Sequence, residues 1–151
     1  MGLTDTLPYY GYEPPPVCEN QEIRLYWNRR IQTDRPVANN IPDLILTFKN
    51  EKKTFIVDFA VPLPNNISKT YAEKISKYLP LRDEILQMWQ MDVLNIIPVV
   101  IGATGEIPRS FKTSLQQLGL ELELYIPIQK SVLLDTCSIV RRVIGDNHEY
   151  F

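Results

Sequence analysis

The stretch TFIVDFAV, residues 54–61, constrains the fold more than any other part of the chain. Six of its eight residues are apolar, several of them β-branched or aromatic, and polar segments close it on both sides (KNEKK before, PLPNN after). A continuous apolar run of this length is a strand buried on both faces. Such a strand needs cover above and below, so helices must pack against a sheet that contains it. DLILTF (43–48) reads as its neighbour, and KNEKK (49–53) has the length of a hairpin connection. VLNIIPVVIGA (93–103) reads as a further buried strand, with Pro98 marking an edge or a bulge.

The remaining segments alternate with these strands. EIRLYWNRRIQT (22–33) is rich in β-formers and predicts a strand or hairpin, followed by a turn at DRPVANN. A helix capped by Asn66 or Ser68 runs to about Tyr78, where Pro80 interrupts or kinks it before LRDEILQMWQM resumes helical spacing. PRSFKTSLQQLGL predicts a short helix stopped by Gly119, and LELYI a short strand. QKSVLLDTCSIVRRVIG (129–145) predicts an amphipathic helix with Arg141 and Arg142 near its end and Gly145 as its stop. The expectation is an α/β domain with a mixed sheet spanning 21–145. Residues 1–20, with three consecutive prolines, form an extended arm or the tail of an upstream linker, and 146–151 a C-terminal tail.

Composition narrows the function classes. A chain of 151 residues supports one core. No apolar stretch has the length of a membrane span, and no basic-then-apolar leader opens the chain, so no membrane partner is expected. Cys18 and Cys137 lack metal-type spacing, and a single histidine leaves no Cys/His zinc site; free thiols fit a reducing, intracellular setting. The net charge is −2, yet residues 20–82 carry eleven Lys or Arg against six Asp or Glu. That asymmetry suits a phosphate-facing surface or an ordinary solvated one.

Two carboxylates sit on the apolar runs: Asp43 opens one strand and Asp58 ends the core of the next. Buried carboxylates need partners. A shared Mg²⁺, with Mn²⁺ as its substitute, is one solution, because such ions take oxygen ligands. For two aspartates alone, ordinary strand-end roles are the commoner outcome. ISKTYAEKISKYLPL then places Tyr71, Lys74 and Tyr78 on one helical face, with Lys77 three residues beyond Lys74. Either lysine can complete a site, or both can stay solvated beside Glu73. Tyr26, Trp27 and Tyr71 are suited to stacking on bases, although core roles are commoner for aromatics.

IPD, then VDFAVP, then TYAEKISKY resembles the restriction-like endonuclease domain of non-LTR retrotransposons, within the PD-(D/E)XK nuclease superfamily. It is especially similar to the C-terminal part of arthropod reverse-transcriptase-like polyproteins. LYWNRRIQTDR, NNIPDLILT, IIPVVIGATGEIP and LLDTCSIVRRVIG extend the resemblance over most of the chain. It implies a restriction-endonuclease-like three-layer α/β fold, a central mixed sheet flanked by helices, and Mg²⁺-dependent nicking of DNA as in target-primed retrotransposition. By the same resemblance, Asp43 and Asp58 are the metal-binding acids and the Phe59 carbonyl is a third metal contact. Ala60 stands where the standard motif has lysine, so the catalytic lysine comes from the following helix: Lys74, with Lys77 as competitor and Tyr71 beside them. Arg29, Arg30 and Lys69 meet the DNA. Ser138 departs from the family's histidine. The implied partners are DNA, the reverse transcriptase and DNA-binding modules of a larger polyprotein, and a second copy in a homodimer, in the nucleus. A catalytically inactive domain of the same fold, used for dimerisation or docking to a polymerase, is the alternative. A hydrolase of small nucleotides or structured RNA is a weaker one.

Overall fold

The computed structural model describes residues 17–148, with side chains through Gly145. The elements are β1 (Val17–Glu19), β2 (Ile23–Trp27), β3 (Leu44–Phe48), β4 (Lys53–Ala60), α1 (Ile67–Met88), β5 (Val93–Val100), α2 (Arg109–Gln117) and α3 (Tyr125–His148). The strands form one mixed five-stranded sheet in the order β1-β2-β3-β4-β5, so the architecture is α/β. By contact the chain divides into two compact units, Met1–Asp58 with Glu73–Ile97, and Phe59–Ala72 with Pro98–Phe151.

In the first unit, β1 to β4 form an antiparallel meander. Asn20 closes the β1–β2 turn, its side-chain oxygen accepting from the backbone N–H groups of Glu22 (2.8 Å) and Ile23 (2.7 Å). The hairpin therefore begins at Val17, inside the segment expected to be an arm; the rest of that arm, residues 1–16, lies outside the described residues. β3 and β4 pair with Leu44 opposite Val57 and Ile45 opposite Ile56. The turn between them needs a left-handed residue, supplied by Lys52 at φ 48°. The Lys52 carbonyl then accepts from the N–H groups of Asp92 (2.8 Å) and Val93 (3.2 Å), which fixes where β5 starts.

The core of this unit brings Ile45 and Ile56 of the sheet against Tyr78, Leu81 and Ile85 of α1 and Leu94 of β5. Each buried aliphatic side chain contributes about 1.5–3 kcal/mol. Tyr78, Leu81 and Ile85 recur at helical spacing, so a single face of α1 is committed to the sheet. Contrary to expectation, Pro80 does not interrupt the helix, which is continuous from Ile67 to Met88. Pro80 and Ser76 are both exposed, so water can solvate the Ser76 carbonyl that loses its donor. The helix starts at Ile67, directly after a 3-10 turn at Pro64–Asn66, so Asn66 precedes its first residue and Ser68 lies inside it. Its C-terminus closes with Gln90 in the left-handed region (φ 52°) and the Met91 N–H donating to the Leu86 carbonyl at 3.2 Å.

In the second unit, Val99, Val100 and Ile101 are buried, as are Phe111 and Leu115 of α2. Pro98 lies on the strand at the edge of the sheet order, and its carbonyl accepts from the Ser114 hydroxyl at 2.7 Å. Gly119 ends α2 as expected: it takes φ 70°, donates its N–H to the Gln116 carbonyl, and lets Leu120 reach the Leu115 carbonyl. LELYI is not a strand. Leu122–Leu124 form a 3-10 turn that runs directly into α3 at Tyr125. Pro127 falls in the first helical turn, where its missing N–H costs no hydrogen bond, so the helix begins four residues before Gln129. Gly145 does not stop it either: it carries no left-handed φ, and the helix reaches His148. Gln129 donates to the Gly105 carbonyl (2.7 Å) and Thr136 to the Ala103 carbonyl (2.6 Å). Further along α3, Leu134, Ile139, Val143 and Ile144 are exposed. Among the described residues no helix is long and apolar enough to cross a membrane.

Candidate active site

Asp58 is 2% exposed, near the end of β4 and on the same side of the strand as Ile56, which faces α1. Burying a carboxylate in this way demands compensation, and three groups of the first unit supply it. The Tyr78 hydroxyl donates to Oδ1 at 3.0 Å. The Asp43 backbone N–H donates to the same oxygen at 3.4 Å. The Lys74 ammonium lies against Oδ2 as an ion pair. That last contact is electrostatic rather than directional, because Oδ2 has no hydrogen-bond partner of ordinary geometry.

Local structure explains each placement. Lys74 and Tyr78 are four residues apart on α1 and so lie one above the other on one face. Asp43 follows the buried Pro42 and directly precedes β3; its carbonyl accepts from the Asn28 N–H at 2.8 Å, which pins it to the end of β2. The Asp43 carboxylate is close enough to act electrostatically on Tyr78. Burial pushes the Tyr78 hydroxyl well above the usual tyrosine range, and the Asp58 and Asp43 charges add to the effect. Tyr78 is therefore a fixed neutral donor, locked to a carboxylate.

The two lysines separate. Lys74 meets Asp58, whereas the exposed Lys77 sits with its ammonium 4.8 Å from the centroid of the Tyr78 ring. Lys77 and Tyr78 line a cleft of about 240 Å³ together with Arg30, Asn39 and Asn40. Arg29 and Arg30 are exposed. Tyr71, half-buried, and Lys69, exposed, lie in the first turns of α1, which belong to the second unit. Phe59 follows Asp58 in β4 with its side chain 45% exposed, and it too belongs by contact to the second unit. Ala60 is half-buried and offers no functional group, so the ammonium at Asp58 comes from the helix.

The sequence reading places Tyr78 on the face of Lys74 but assigns it no role. Its spacing of four from Lys74 is the signal that reveals it as the partner of Asp58. The backbone N–H of Asp43 has no sequence signal, since any residue there has one.

Asp58 and the neighbouring Asp43 bring carboxylate oxygens beside the Lys74 ammonium, and Asp58 Oδ2 keeps lone-pair capacity. A hard divalent cation fits that donor set. Among the described residues no group of three or more His, Cys, Asp or Glu side chains gathers, so a metal here would rest on two carboxylates and water. Cys18 is buried and Cys137 exposed, and neither forms a disulfide. No family model matches the chain, and a search of curated proteins finds no match.

Proposed function

We propose that this chain is a metal-dependent DNA endonuclease domain of the PD-(D/E)XK type, with the restriction-endonuclease-like fold, nicking DNA as in target-primed retrotransposition. The observation that carries the reading is the buried Asp58 carboxylate, paired with the Lys74 ammonium and tethered through the Asp43 backbone at the start of the neighbouring strand. A strand-end acid, a second acid directly before the adjacent strand and a helix-borne lysine are a donor set suited to phosphodiester hydrolysis. Asp43 and Asp58 would hold Mg²⁺, or Mn²⁺ in its place. The chemistry such an ion supplies is a polarised phosphoryl oxygen and a more acidic water. Lys74 orients the attacking water or offsets the charge that develops at phosphorus. Tyr78 holds the Asp58 carboxylate in its rotamer, leaving Oδ2 directed at Lys74. Arg30, which lines the adjoining cleft, suits contact with the DNA backbone. The reading extends to a nuclear setting, with reverse transcriptase and DNA-binding modules elsewhere in a larger protein.

The test is nicking of supercoiled plasmid with Mg²⁺ or Mn²⁺. Asp58→Ala and Lys74→Ala are each expected to lose on the order of 10²–10⁴ in rate, and Lys77→Ala to keep most of it. Cutting by Asp58→Ala at the wild-type rate would overturn the assignment. A docking or dimerising role without catalysis is the second reading. The exposed Leu134, Ile139, Val143 and Ile144 on α3 favour it, and an inactive wild-type protein that self-associates through this helix would support it.

A further inference from the structure

A cavity of about 470 Å³ in the first unit lies away from Asp58. It lies beside an aromatic pair: Tyr26 of β2 and Trp89, just past α1, stack with ring centroids 5.4 Å apart and planes 30° apart. Arg24, Arg29 and Arg30 line the same cavity. A second cavity, about 350 Å³, shares Arg24 and Trp89 and adds Lys49 and Lys52. Trp89 thus borders both clefts, within the roughly 300–1,000 Å³ range of ligand sites. Across the two linings stand five cations and one carboxylate, Glu19. That carboxylate is already neutralised: Arg24 binds it at 2.8 Å, Lys49 pairs with it, and together they hold it down to a pKa of about 2.

The aromatic platform is rigid. Trp89 packs against the core cluster on one side, and the left-handed Gln90 after it fixes where the helix ends. Its setting is cationic and open. Arg30 also lines the cleft that holds Lys77 and Tyr78, and Tyr78 is bonded to Asp58. A cation-lined path therefore runs past Arg30 from the Trp89–Tyr26 pair to the cleft that Lys77 and Tyr78 line.

We infer that this path binds single-stranded DNA, with an unpaired base against the Trp89–Tyr26 platform and the flanking phosphates on Arg24, Arg29 and Arg30. Stacking requires a base whose face is free, which a paired duplex does not present, and phosphates between stacked bases require cations beside the rings. The choice of DNA rests on the nuclease reading; the binding chemistry does not. The strand that enters Asp58 is then an unpaired or locally opened one.

Anisotropy of a labelled oligonucleotide of about a dozen thymidines, in the range of single-strand site sizes, tests this with divalent ions chelated, so that no cleavage is involved. Wild type is expected to bind it more tightly than a duplex of equal length, and less tightly as salt rises. Trp89→Leu should weaken binding roughly 5- to 100-fold, and Trp89→Phe should keep most of it. Arg29→Gln combined with Arg30→Gln should flatten the log–log salt slope by about 1.4. Lys112→Gln, on the exposed side of α2, should change nothing. If Trp89→Leu does not fold, Trp27→Phe leaves Trp89 as the sole tryptophan, and unlabelled oligonucleotide must quench its emission when tryptophan is excited selectively. A folded Trp89→Leu that binds like wild type, an equal or stronger affinity for duplex, or no quenching would each overturn the inference and leave the pair as a cap on the core. Binding without any plasmid nicking would uphold it while removing the nuclease reading.

Discussion

At the scale of single residues, Tyr78 is the most informative side chain. Its ring is buried in the core and its hydroxyl ends on a carboxylate, so one residue serves both packing and site. Tyr78→Phe keeps the ring and deletes the donor. It should cost about 1.5–3 kcal/mol, the range for a hydrogen bond to a charged group, read as a lowered urea midpoint at unchanged slope. The same contact has a pH signature. The hydroxyl is raised in the folded state, so the unfolded chain gives up its proton first as pH climbs past about 10. Stability should therefore fall in that alkaline range in wild type and fall less in Tyr78→Phe, measured by urea titration at successive pH values. Glu84 provides a second buried carboxylate, which accepts from the Arg35 backbone N–H at 3.3 Å and faces its guanidinium at 3.4 Å, tying the loop before Asp43 to α1.

At the scale of elements, α1 is long, interrupted in sequence and yet continuous. Its sheet-facing residues pull Leu81 and Ile85 into the core, and that burial outweighs the one hydrogen bond Pro80 removes. Pro80→Ala restores the donor at an exposed position and should stabilise the protein by about 1–3 kcal/mol, checked by chemical unfolding. The β1–β2 hairpin depends on charge instead. Glu19, held down to a pKa of about 2 by Arg24 and Lys49, contributes while ionised. Its contribution is present above the ordinary value of 4.5 and is lost as pH falls toward about 2. Protection of the Cys18 and Leu25 amides, which face each other across the hairpin, should fall over that window once exchange is corrected for its intrinsic pH dependence. Glu19→Gln should show the faster exchange already at neutral pH.

At the scale of the whole molecule, a bound cation links site to stability. Anything that binds only the folded chain stabilises it by mass action, about 2.7 kcal/mol at a hundredfold excess over Kd. Mn²⁺ should therefore raise the unfolding midpoint of wild type and leave that of Asp58→Ala unmoved, each compared with itself in chelator. This readout is independent of catalysis. A shift of equal size in Asp58→Ala would place the ion elsewhere.

The alternation of apolar runs with amphipathic helices was enough to specify an α/β chain and the β3–β4 hairpin, because burial on both faces leaves a run such as TFIVDFAV no other home. Gly119 announced the end of α2 because only a residue free to take positive φ closes a helix so tightly. Local chemistry misled at Pro80, Gly145 and LELYI. At Pro80 solvent access and packing outweighed the local signal, at Gly145 helix continuity absorbed a small propensity cost, and at LELYI the 3-10 turn fed a helix that tolerates Pro127 in its first turn. Asp43, Asp58 and the two lysines of α1 were legible as residue types at suggestive spacing. Which lysine meets Asp58, that Tyr78 and a backbone N–H hold its other oxygen, and that Trp89 stacks on Tyr26 across sixty-three positions of sequence were decided only by tertiary structure. These are choices of direction in space, and sequence spacing fixes a helical face without saying which neighbour that face will meet.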